Sequence, residues 1–295
     1  MKTKITMFLL NEKGYYVLKR FIDVFGAKYI EAVISSHDFN IENDYYYEIS
    51  SLCNENNIVF YDKNQTFSIN GQYIFAIGWR WMINKINNKR LIIFHDSLLP
   101  RYRGFAPLVS CLINSEPQIG VTALFASDEY DKGPIIKQVY TDIDYPIKIN
   151  RAITLIKPLY FSLVEAITIQ IINGEIIKSF PQDESQASYS LWRNEEDYRI
   201  DWDKDSDYIK RFIDAVGYPY KGAFSYVDGK KIRIFDAETI PDVKVENRDV
   251  GKVIFTSSNC PVIVCGKGLL KLTNVIDDDS KKNILPLDSF RIRFK

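Results

Sequence analysis

The sequence predicts an α/β fold, an open and mostly parallel sheet, followed by a smaller β-rich domain. In the first half of the chain strand-like runs alternate with helix-like ones, which is typical of an open α/β sheet. The runs 73–77 and 91–94 are apolar along their whole length, as expected of parallel strands covered on both faces. The length of 295 residues exceeds that of a usual single domain, so we expect two domains.

The first half begins with a strand. The predicted strands cover 5–10, 29–35, 58–60, 73–79, 91–94, 121–126 and 135–140. The predicted helices cover 15–25, 45–56 and 106–114. The first apolar run follows basic residues but is broken at once by Asn11-Glu12-Lys13, so we interpret it as a strand and not as a signal peptide.

The second half contains one long helix and then a different pattern. Between 150 and 172 apolar residues recur at three- and four-residue steps, and Asn173-Gly174 provides a stop. The polar stretch 181–186 predicts a linker. Beyond it we expect a helix at 206–216 and short strands separated by turns. The predicted domains are therefore 1–183 and 184–295.

Composition argues against several classes of partner. The chain has 38 basic and 38 acidic residues, whereas nucleic-acid enzymes usually present a basic surface, so we expect no nucleic-acid partner. We see no apolar stretch of about 18 residues, and we expect no membrane partner and a cytoplasmic location. Cysteines stand at four positions without a Cys-x-x-Cys pair, which predicts no metal site: Cys53, Cys111, Cys260 and Cys265.

Two segments carry the candidate chemistry. Residues 94–104 read Phe-His-Asp-Ser-Leu-Leu-Pro-Arg-Tyr-Arg-Gly, and residues 129–135 read Glu-Tyr-Asp-Lys-Gly-Pro-Ile. They place His95 at the end of an apolar strand and Asp131 on a turn after the next long strand. A carboxylate beside a histidine can fix its tautomer and support its charged form. Alone, each residue is more often structural, but the two motifs together favour acid/base catalysis.

These motifs resemble those of the folate-dependent formyltransferase family, and most closely its sugar-nucleotide N-formyltransferases. Segments 200–202, 218–224 and 228–232 resemble the carboxy-terminal domain that tRNA and sugar formyltransferases share. The resemblance implies a Rossmann-like catalytic domain and an OB-like carboxy-terminal domain. It also implies N10-formyltetrahydrofolate as the formyl donor, with no metal.

The resemblance also assigns residues to roles. His95 is expected beside the formyl carbon, as general base for the amine or as donor to the oxyanion, with Asp131 paired to it. The residues expected at the folate are Ile77, Gly78, Trp79, Met82, Leu98, Leu99, Asp128 and Tyr130. The residues expected at the acceptor are Ser97, Arg103, Gly104 and Tyr218, of which the arginine suits a phosphate.

Two of these assignments have an equally simple structural alternative. Trp79 and its neighbour Trp81 either stack on the pterin or cap the sheet. Tyr218 either forms an aromatic wall for a nucleotide base or packs between domains. Backbone groups can bind a pterin edge without special side chains, so side-chain identity in these segments is weak evidence.

One position departs from the family pattern. The family usually has Asn-x-His, with the asparagine at the formyl oxygen, but Ile93 stands two residues before His95. Loss of one oxyanion donor typically costs about two to three orders of magnitude in rate. Either His95 and a backbone N–H suffice, or another polar group such as Asp96 replaces the amide, or catalysis is lost. We expect retained activity, because the flanking motifs survive, and a cis Leu99-Pro100 peptide as in the family.

The sequence therefore favours a sugar-nucleotide N-formyltransferase that acts on the amine of a UDP- or dTDP-linked amino-deoxy sugar. The product would serve a surface glycan, such as an O-antigen of lipopolysaccharide or a pseudaminic-acid-type sugar. The alternatives are a methionyl-tRNA formyltransferase, a formyl-folate hydrolase and a non-catalytic nucleotide-sugar-binding protein. Neutral charge and chain length favour a small acceptor over tRNA. We also expect a homodimer, because exposed strand edges invite pairing and the enzymes resembled are frequently dimers.

Overall fold

A computed structural model describes residues 3–83 and 90–295 of the chain. Two compact units can be distinguished. The first comprises Met1–Leu108, Pro117–Ile143 and Arg151–Trp192, and the second comprises Val109–Glu116, Asp144–Asn150 and Arg193–Lys295. The domain boundary that we place between 183 and 184 stays a prediction, since compactness alone does not show which segment folds independently.

The first unit is built on a mixed sheet. Its strands are β1 Ile5–Leu9, β2 Ile30–Ser35, β3 Val59–Asp62, β4 Tyr73–Ile77, β5 Leu91–His95, β6 Arg103–Gly104, β7 Gln118–Phe125, β8 Ile135–Asp142 and β9 Tyr189–Ser190. Seven of them form one sheet in the order β3-β2-β1-β4-β5-β7-β8, and β6 pairs separately with β9. The first five strands of the sheet are parallel, and β7 and β8 are antiparallel. The predicted mostly parallel sheet is confirmed.

Helices connect these strands. They are α1 Asn11–Phe25, α2 Tyr46–Glu55, α3 Pro107–Ile113 and α4 Ile149–Asn173. Helix α1 follows β1 without a loop, and an added Cβ at Gly14 would lie 3.0 Å from the Cβ of Leu9. Glycine therefore lets the helix begin close to the strand. Helix α1 buries Val17, Leu18 and Phe21, a spacing that puts all three on one face.

Helix α4 corrects an expectation. We expected no segment long and apolar enough to cross a membrane, but α4 passes that test by length and composition. Half of its most apolar window is buried within the protein. Its buried residues include Ile156, Leu163 and Ile167, which recur at helical spacing. The helix therefore reads as a core helix, and it ends at Asn173 before Gly174, which has a φ of 71° as the predicted stop requires.

The second unit contains an antiparallel sheet and one main helix. Its strands are β10 Ala223–Val227, β11 Lys230–Ile240, β12 Val253–Ser257, β13 Cys260–Val264 and β14 Leu269–Asp277, in the order β10-β11-β14-β13-β12. Helix α5, Ser206–Val216, has the predicted bounds, and the side chain of its N-cap Asp205 accepts from Tyr208 N at 2.6 Å. The smaller β-rich region is confirmed.

A buried arginine, Arg233, ties this sheet to neighbouring loops. Its side chain is 5% exposed, and its guanidinium donates to Asp278 at 3.0 Å, to the carbonyl of Gly222 at 3.0 Å, and to Glu195. Lys231 also pairs with Glu195. Burial alone would raise the pKa of Asp278, but hydrogen bonds from Arg233 and Lys281 outweigh it and lower that pKa to about 2.

Candidate active site

His95 is the last residue of β5, in the middle of the first unit's sheet. Its side chain is 8% exposed. The ring nitrogen Nε2 lies 2.8 Å from the carbonyl oxygen of Tyr102. A carbonyl oxygen only accepts, so Nε2 must carry a hydrogen and donate it. The strand thus presents a histidine whose ring orientation is fixed from one side.

Asp131 approaches the other ring nitrogen. Its Oδ1 lies 3.5 Å from His95 Nδ1, and the carboxylate is equally buried. A ring protonated on both nitrogens satisfies both oxygens, whereas a neutral ring would turn the Nδ1 lone pair toward the carboxylate. The contact is longer than a hydrogen bond, as is common for catalytic contacts without substrate. The predicted pair is therefore brought together, with Asp131 placed to accept from Nδ1 when that nitrogen carries a hydrogen.

The turn that carries Asp131 is itself held in place. Asp131 has a φ of 56°, a left-handed conformation that side chains rarely adopt. Its Oδ2 accepts the backbone N–H of Gly104 at 2.8 Å. Each carboxylate oxygen thus has a different partner, and the turn geometry determines which oxygen meets His95.

A cavity of about 360 Å³ has Asp131 in its wall, whereas His95, the partner of Asp131, is not among the lining residues. Its floor is apolar and formed by β4, β5 and the end of β7, through Ala76, Leu91, Ile93 and Ala126. The remaining walls come from two loops and consist of Trp79, Arg80, Trp81, Met82, Ile83, Ser127, Asp128, Glu129 and Tyr130. An apolar cleft of this size with a few polar groups at one side is typical of a small-molecule site.

The cavity sorts the residues predicted to bind folate. Four of them lie in its wall: Trp79, Met82, Asp128 and Tyr130. The other four do not, namely Ile77, Gly78, Leu98 and Leu99. A ligand contact for these four residues stays a prediction. Ile77 is buried in the sheet, and Leu99 packs with Leu124 and Ile135. Gly78 has no side chain and could contact a ligand only through its backbone. The predicted cis Leu99-Pro100 peptide is confirmed.

For the two tryptophans the sequence left two roles open, covering the sheet or facing a ligand, and the positions of Trp79 and Trp81 allow both. The Trp79 ring meets Phe8 edge to face, with centroids 4.9 Å apart, and so covers the sheet. It also contacts Trp81 at 5.0 Å, and both rings line the cavity. Lys63 Nζ lies 3.6 Å from the centroid of the Trp81 ring, a cation–π contact that supports this loop.

Ile93 faces the cavity on the same side of β5 as His95, since residues two apart on a strand share a face. It packs against the cluster of Leu99, Leu124 and Ile135. The position where the family usually has an amide is therefore an apolar wall. Asp96 does not replace that amide, because its carboxylate pairs with Lys13 and accepts from Tyr160.

The residues predicted to bind the acceptor are divided between the units. Ser97 is 1% exposed and its hydroxyl donates to the carbonyl of Arg101 at 2.7 Å, so it shapes the loop. Gly104 has a φ of 98°, and an added Cβ would lie 2.6 Å from the carbonyl oxygen of Ser190. Tyr218 is 51% exposed in the second unit. A substrate contact for these three stays a prediction.

Arg103 differs from its prediction. We expected its guanidinium to meet a substrate phosphate, but the side chain is 0% exposed. It donates to Glu184 at 2.7 and 2.8 Å, to Gln182 at 2.8 and 3.0 Å, and to Tyr189 at 3.3 Å. All five N–H groups of an arginine are used by these bonds. In this arrangement the side chain has no donor left for a phosphate.

Sequence reasoning missed Gln182 and Glu184, because the stretch 181–186 reads as a polar linker. The structure instead folds this stretch against the site. Gln182 Nε2 donates to the backbone carbonyls of Asp131 at 2.6 Å and of Gly133 at 2.8 Å. No local signal marks these residues, since their partners are 49 to 81 positions away.

Within residues 3–83 and 90–295, no group of three His, Cys, Asp or Glu residues is arranged to hold a metal ion. The cysteines in that part of the chain are free thiols.

Family models match both units. The model described as formyl transferase matches residues 55–150, and that of the formyl transferase C-terminal domain matches residues 193–291. The chain belongs to the formyltransferase family. The two models together cover about two thirds of the sequence, and they include His95, Asp131 and the antiparallel sheet.

Solved structures share the fold of this formyltransferase. WlaRD, a sugar 3N-formyltransferase solved in the presence of dTDP and 5-N-formyl-THF, superposes with a TM-score of 0.68 at 21% identity, over 92% of this chain and 98% of that one. The N-formyltransferase of Helicobacter canadensis, in complex with folinic acid and dTDP-3-aminofucose, gives 0.67 at 18% identity with the same coverage. At such identities the likeness establishes the fold.

A curated relative by sequence is the methionyl-tRNA formyltransferase of Syntrophomonas wolfei. It is 29% identical over 196 residues, which is 66% of this chain. The match spans 61% of that relative's length. The substrate therefore has to be argued from the site.

Proposed function

We propose that this formyltransferase moves a formyl group from N10-formyltetrahydrofolate to the amine of a UDP- or dTDP-linked amino-deoxy sugar. The observation that carries the proposal is the His95–Asp131 pair, with the Nδ1–Oδ1 distance of 3.5 Å, in which Asp131 lines a cavity of about 360 Å³. Acid/base groups beside a largely apolar cleft are what formyl transfer from a pterin requires.

The cavity suits a folate. Its apolar floor of Ala76, Leu91, Ile93 and Ala126 matches the flat face of a pterin ring, and Asp128 supplies an acceptor for its amino and N–H edge. The folate supplies the activated one-carbon unit. WlaRD and the Helicobacter canadensis enzyme were solved with formylated folates, and their fold covers 92% of this chain, which supports the same donor here.

We infer that His95 acts as a proton donor. Both of its nitrogens face oxygen atoms, of Tyr102 and of Asp131, and an imidazolium has a hydrogen for each. Asp131 stabilises the positive charge that this form carries. To donate to the formyl oxygen or to the leaving nitrogen, the ring must exchange one of these two contacts for the substrate, and the Nδ1–Oδ1 contact of 3.5 Å is the weaker one. This role requires less of the missing amide, because the donor itself is charged.

A nucleotide sugar is favoured over tRNA as acceptor. The formal charge of zero gives no basic excess for a polyanion. The two sugar N-formyltransferases also superpose over 92% of this chain with TM-scores of 0.68 and 0.67, whereas a methionyl-tRNA formyltransferase of Clostridium thermocellum superposes over 80% with a TM-score of 0.56. The relative from Syntrophomonas wolfei is nevertheless the specific observation in favour of methionyl-tRNA as second candidate. The remaining expectations, a surface-glycan product, a cytoplasmic location and a homodimer, belong to this proposal.

An acceptor panel tests the proposal. The full chain is incubated with N10-formyltetrahydrofolate and, separately, with UDP- and dTDP-linked amino sugars or with methionyl initiator tRNA, and products are read by mass. We expect a gain of one formyl group on a nucleotide sugar and none on tRNA. Formylation of the tRNA would favour the second candidate. Tight nucleotide-sugar binding without any turnover would indicate a binding protein in which Ile93 has ended catalysis.

A further inference from the structure

We propose that Gln182 is a positioning residue that sets the Asp131 carboxylate against His95, and that Arg103, a buried arginine paired with the exposed carboxylate of Glu184, fixes Gln182 in turn. The proposal rests on the proposed function only for its rate measurements. Its structural content concerns the Asp131 turn, whatever the acceptor is. Arg103 thereby receives a role different from the phosphate contact that the sequence suggests.

The first step is the contact between Gln182 and the turn. One amide nitrogen, Nε2, donates to two carbonyls, of Asp131 at 2.6 Å and of Gly133 at 2.8 Å. The first carbonyl belongs to Asp131 itself, whose φ of 56° is unfavourable for residues other than glycine, and the second lies two residues further on in the same turn. The two bonds hold the turn in this conformation, and the conformation places Oδ1 at His95 and Oδ2 at Gly104.

The second step is the orientation of the amide itself. Gln182 Oε1 accepts from Arg103 through Nε at 3.0 Å and NH2 at 2.8 Å. A guanidinium only donates and the turn carbonyls only accept, so a flipped amide would lose its bonds on both sides. Arg103 therefore determines that the donor end of Gln182 faces the Asp131 turn.

The third step is the charge on Arg103. Its side chain is fully buried, and a buried charge is costly unless it is paired. Glu184 supplies a bidentate carboxylate at 2.7 and 2.8 Å. Hydrogen bonds from Arg103 hold the pKa of Glu184 below its ordinary value, so the pair persists through neutral pH. Glu184 thus holds Arg103 in place, and Gln182 links Arg103 to the Asp131 turn.

The test exchanges the amide donor for an acceptor. Gln182→Glu keeps an oxygen toward Arg103 but places a second carboxylate oxygen against the two carbonyls. The control is Gln186→Glu, an exposed glutamine of the same segment whose amide bonds Asp183 at 2.8 Å. The chain has only two histidines, His95 and His37, so imidazole nitrogen NMR signals assign readily. We expect the His95 signals to move in Gln182→Glu, with His37 unchanged, and neither to move in Gln186→Glu.

The rate measurement separates positioning from general stability. A misplaced carboxylate should lower kcat by about 100-fold and leave the acceptor KM unchanged in Gln182→Glu. In an Asp131→Asn background, the same substitution should add little further loss, because it acts through Asp131. Losses that multiply in the double variant, or unmoved His95 signals, would overturn the proposal. If Gln182→Glu unfolds, Gln182→Ala replaces it in the kcat and NMR measurements, and urea unfolding shows that this variant is folded.

The two proposals fail separately. If the unsubstituted protein transfers no formyl group to any acceptor, the proposed function fails, while the NMR comparison still decides whether Gln182 positions Asp131. If transfer occurs and the His95 signals do not respond to Gln182→Glu, only the positioning role fails.

Discussion

Two buried arginines, one in each unit, show how similar contacts can serve different ends. Arg103 and Arg233 have side chains 0% and 5% exposed, and each is bound by carboxylates from distant segments. Beyond its carboxylate, Arg103 holds Gln182, whose amide reaches the carbonyl of Asp131. The carboxylates around Arg233 lead instead to Lys231 and Lys281, in a unit whose sequence contains no histidine. A buried arginine with carboxylate partners therefore does not by itself indicate a functional site. What distinguishes Arg103 is that its contacts lead to an acid/base residue.

The largest expected effect concerns His95, the acid/base group to which the contacts of Arg103 lead and those of Arg233 do not. His95→Ala should reduce the rate of formyl transfer by about 10²- to 10⁴-fold, the usual contribution of general acid/base catalysis. Truncating a buried ring that donates to the Tyr102 carbonyl should also cost about 1–3 kcal/mol in the free energy of unfolding, so urea unfolding is measured beside the rate. Single-turnover rates with the accepted amine measure the effect. An unchanged rate would mean that the chemistry assigned to this pair is wrong.

Removing either arginine compares the clusters directly. Arg103→Met removes all five hydrogen bonds of a fully buried guanidinium, and Arg233→Met leaves the partly buried Asp278 and Glu195 without a cation, so each should cost about 3–5 kcal/mol in the free energy of unfolding. Only Arg103→Met should also move the NMR signals of His95. Urea unfolding and imidazole NMR on the same samples provide both readouts. Equal movement of His95 in both variants would remove the distinction between the clusters.

A milder variant covers the case in which Arg103→Met does not fold. Glu184→Gln removes the charge of an exposed partner, since the Glu184 side chain is 64% exposed, and keeps one oxygen for Arg103. Its stability loss should be about 1–3 kcal/mol, because the fully buried Arg103 keeps an acceptor but loses its counter-charge, with a smaller movement of the His95 signals in the same direction.

Ile93→Asn tests the apolar cavity wall on the face of β5 that also carries His95. The substitution restores the family's usual amide but removes an apolar side chain from the cluster with Leu99, Leu124 and Ile135. We expect activity to persist, and stability to fall by about 1–3 kcal/mol because a polar group is buried in an apolar wall. Initial rates and urea unfolding measure the two effects. Loss of all turnover in a folded variant would show that the site depends on the apolar wall.

The smallest expected effect is in the second unit and concerns pH. The pKa of Asp278 is lowered from 3.8 to about 2, because hydrogen bonds from Arg233 and Lys281 outweigh burial. A lowered carboxyl pKa contributes stability above pH 3.8, and that contribution is lost as pH falls toward 2. Asp278→Asn should flatten the stability profile in this window. A profile identical to that of the unsubstituted protein would show that Asp278 is not linked to folding.

The elements of this fold were predictable where burial repeats locally. The period of apolar residues gave α5 at 206–216, the strands around 73–77 and 91–95, and the long helix α4. The His95 and Asp131 motifs predicted a pair that the structure brings to 3.5 Å. These features depend on short windows of sequence.

The features that were missed depend on long-range geometry. Gln182 is 79 residues from Arg103 and 51 from Asp131, and a polar stretch with Pro181 is indistinguishable locally from a linker. Arg103 stands in a motif next to the site, but whether an arginine faces a ligand or a glutamate of its own chain is decided by which segment packs on it. Likewise, the apolar side chain of Leu99 predicts burial, but the sequence does not show that this side chain packs on β7 instead of lining the cavity.

Following the formyl carbon tests the central claim most directly. N10-formyltetrahydrofolate labelled with ¹³C in the formyl group is mixed with the full chain, a dTDP- or UDP-linked amino sugar and methionyl initiator tRNA together, and the label is located by NMR and mass. We predict that the carbon appears on the sugar nitrogen, and that His95→Ala stops its transfer. Label found in free formate or on the tRNA, or transfer that continues without His95, would contradict this account.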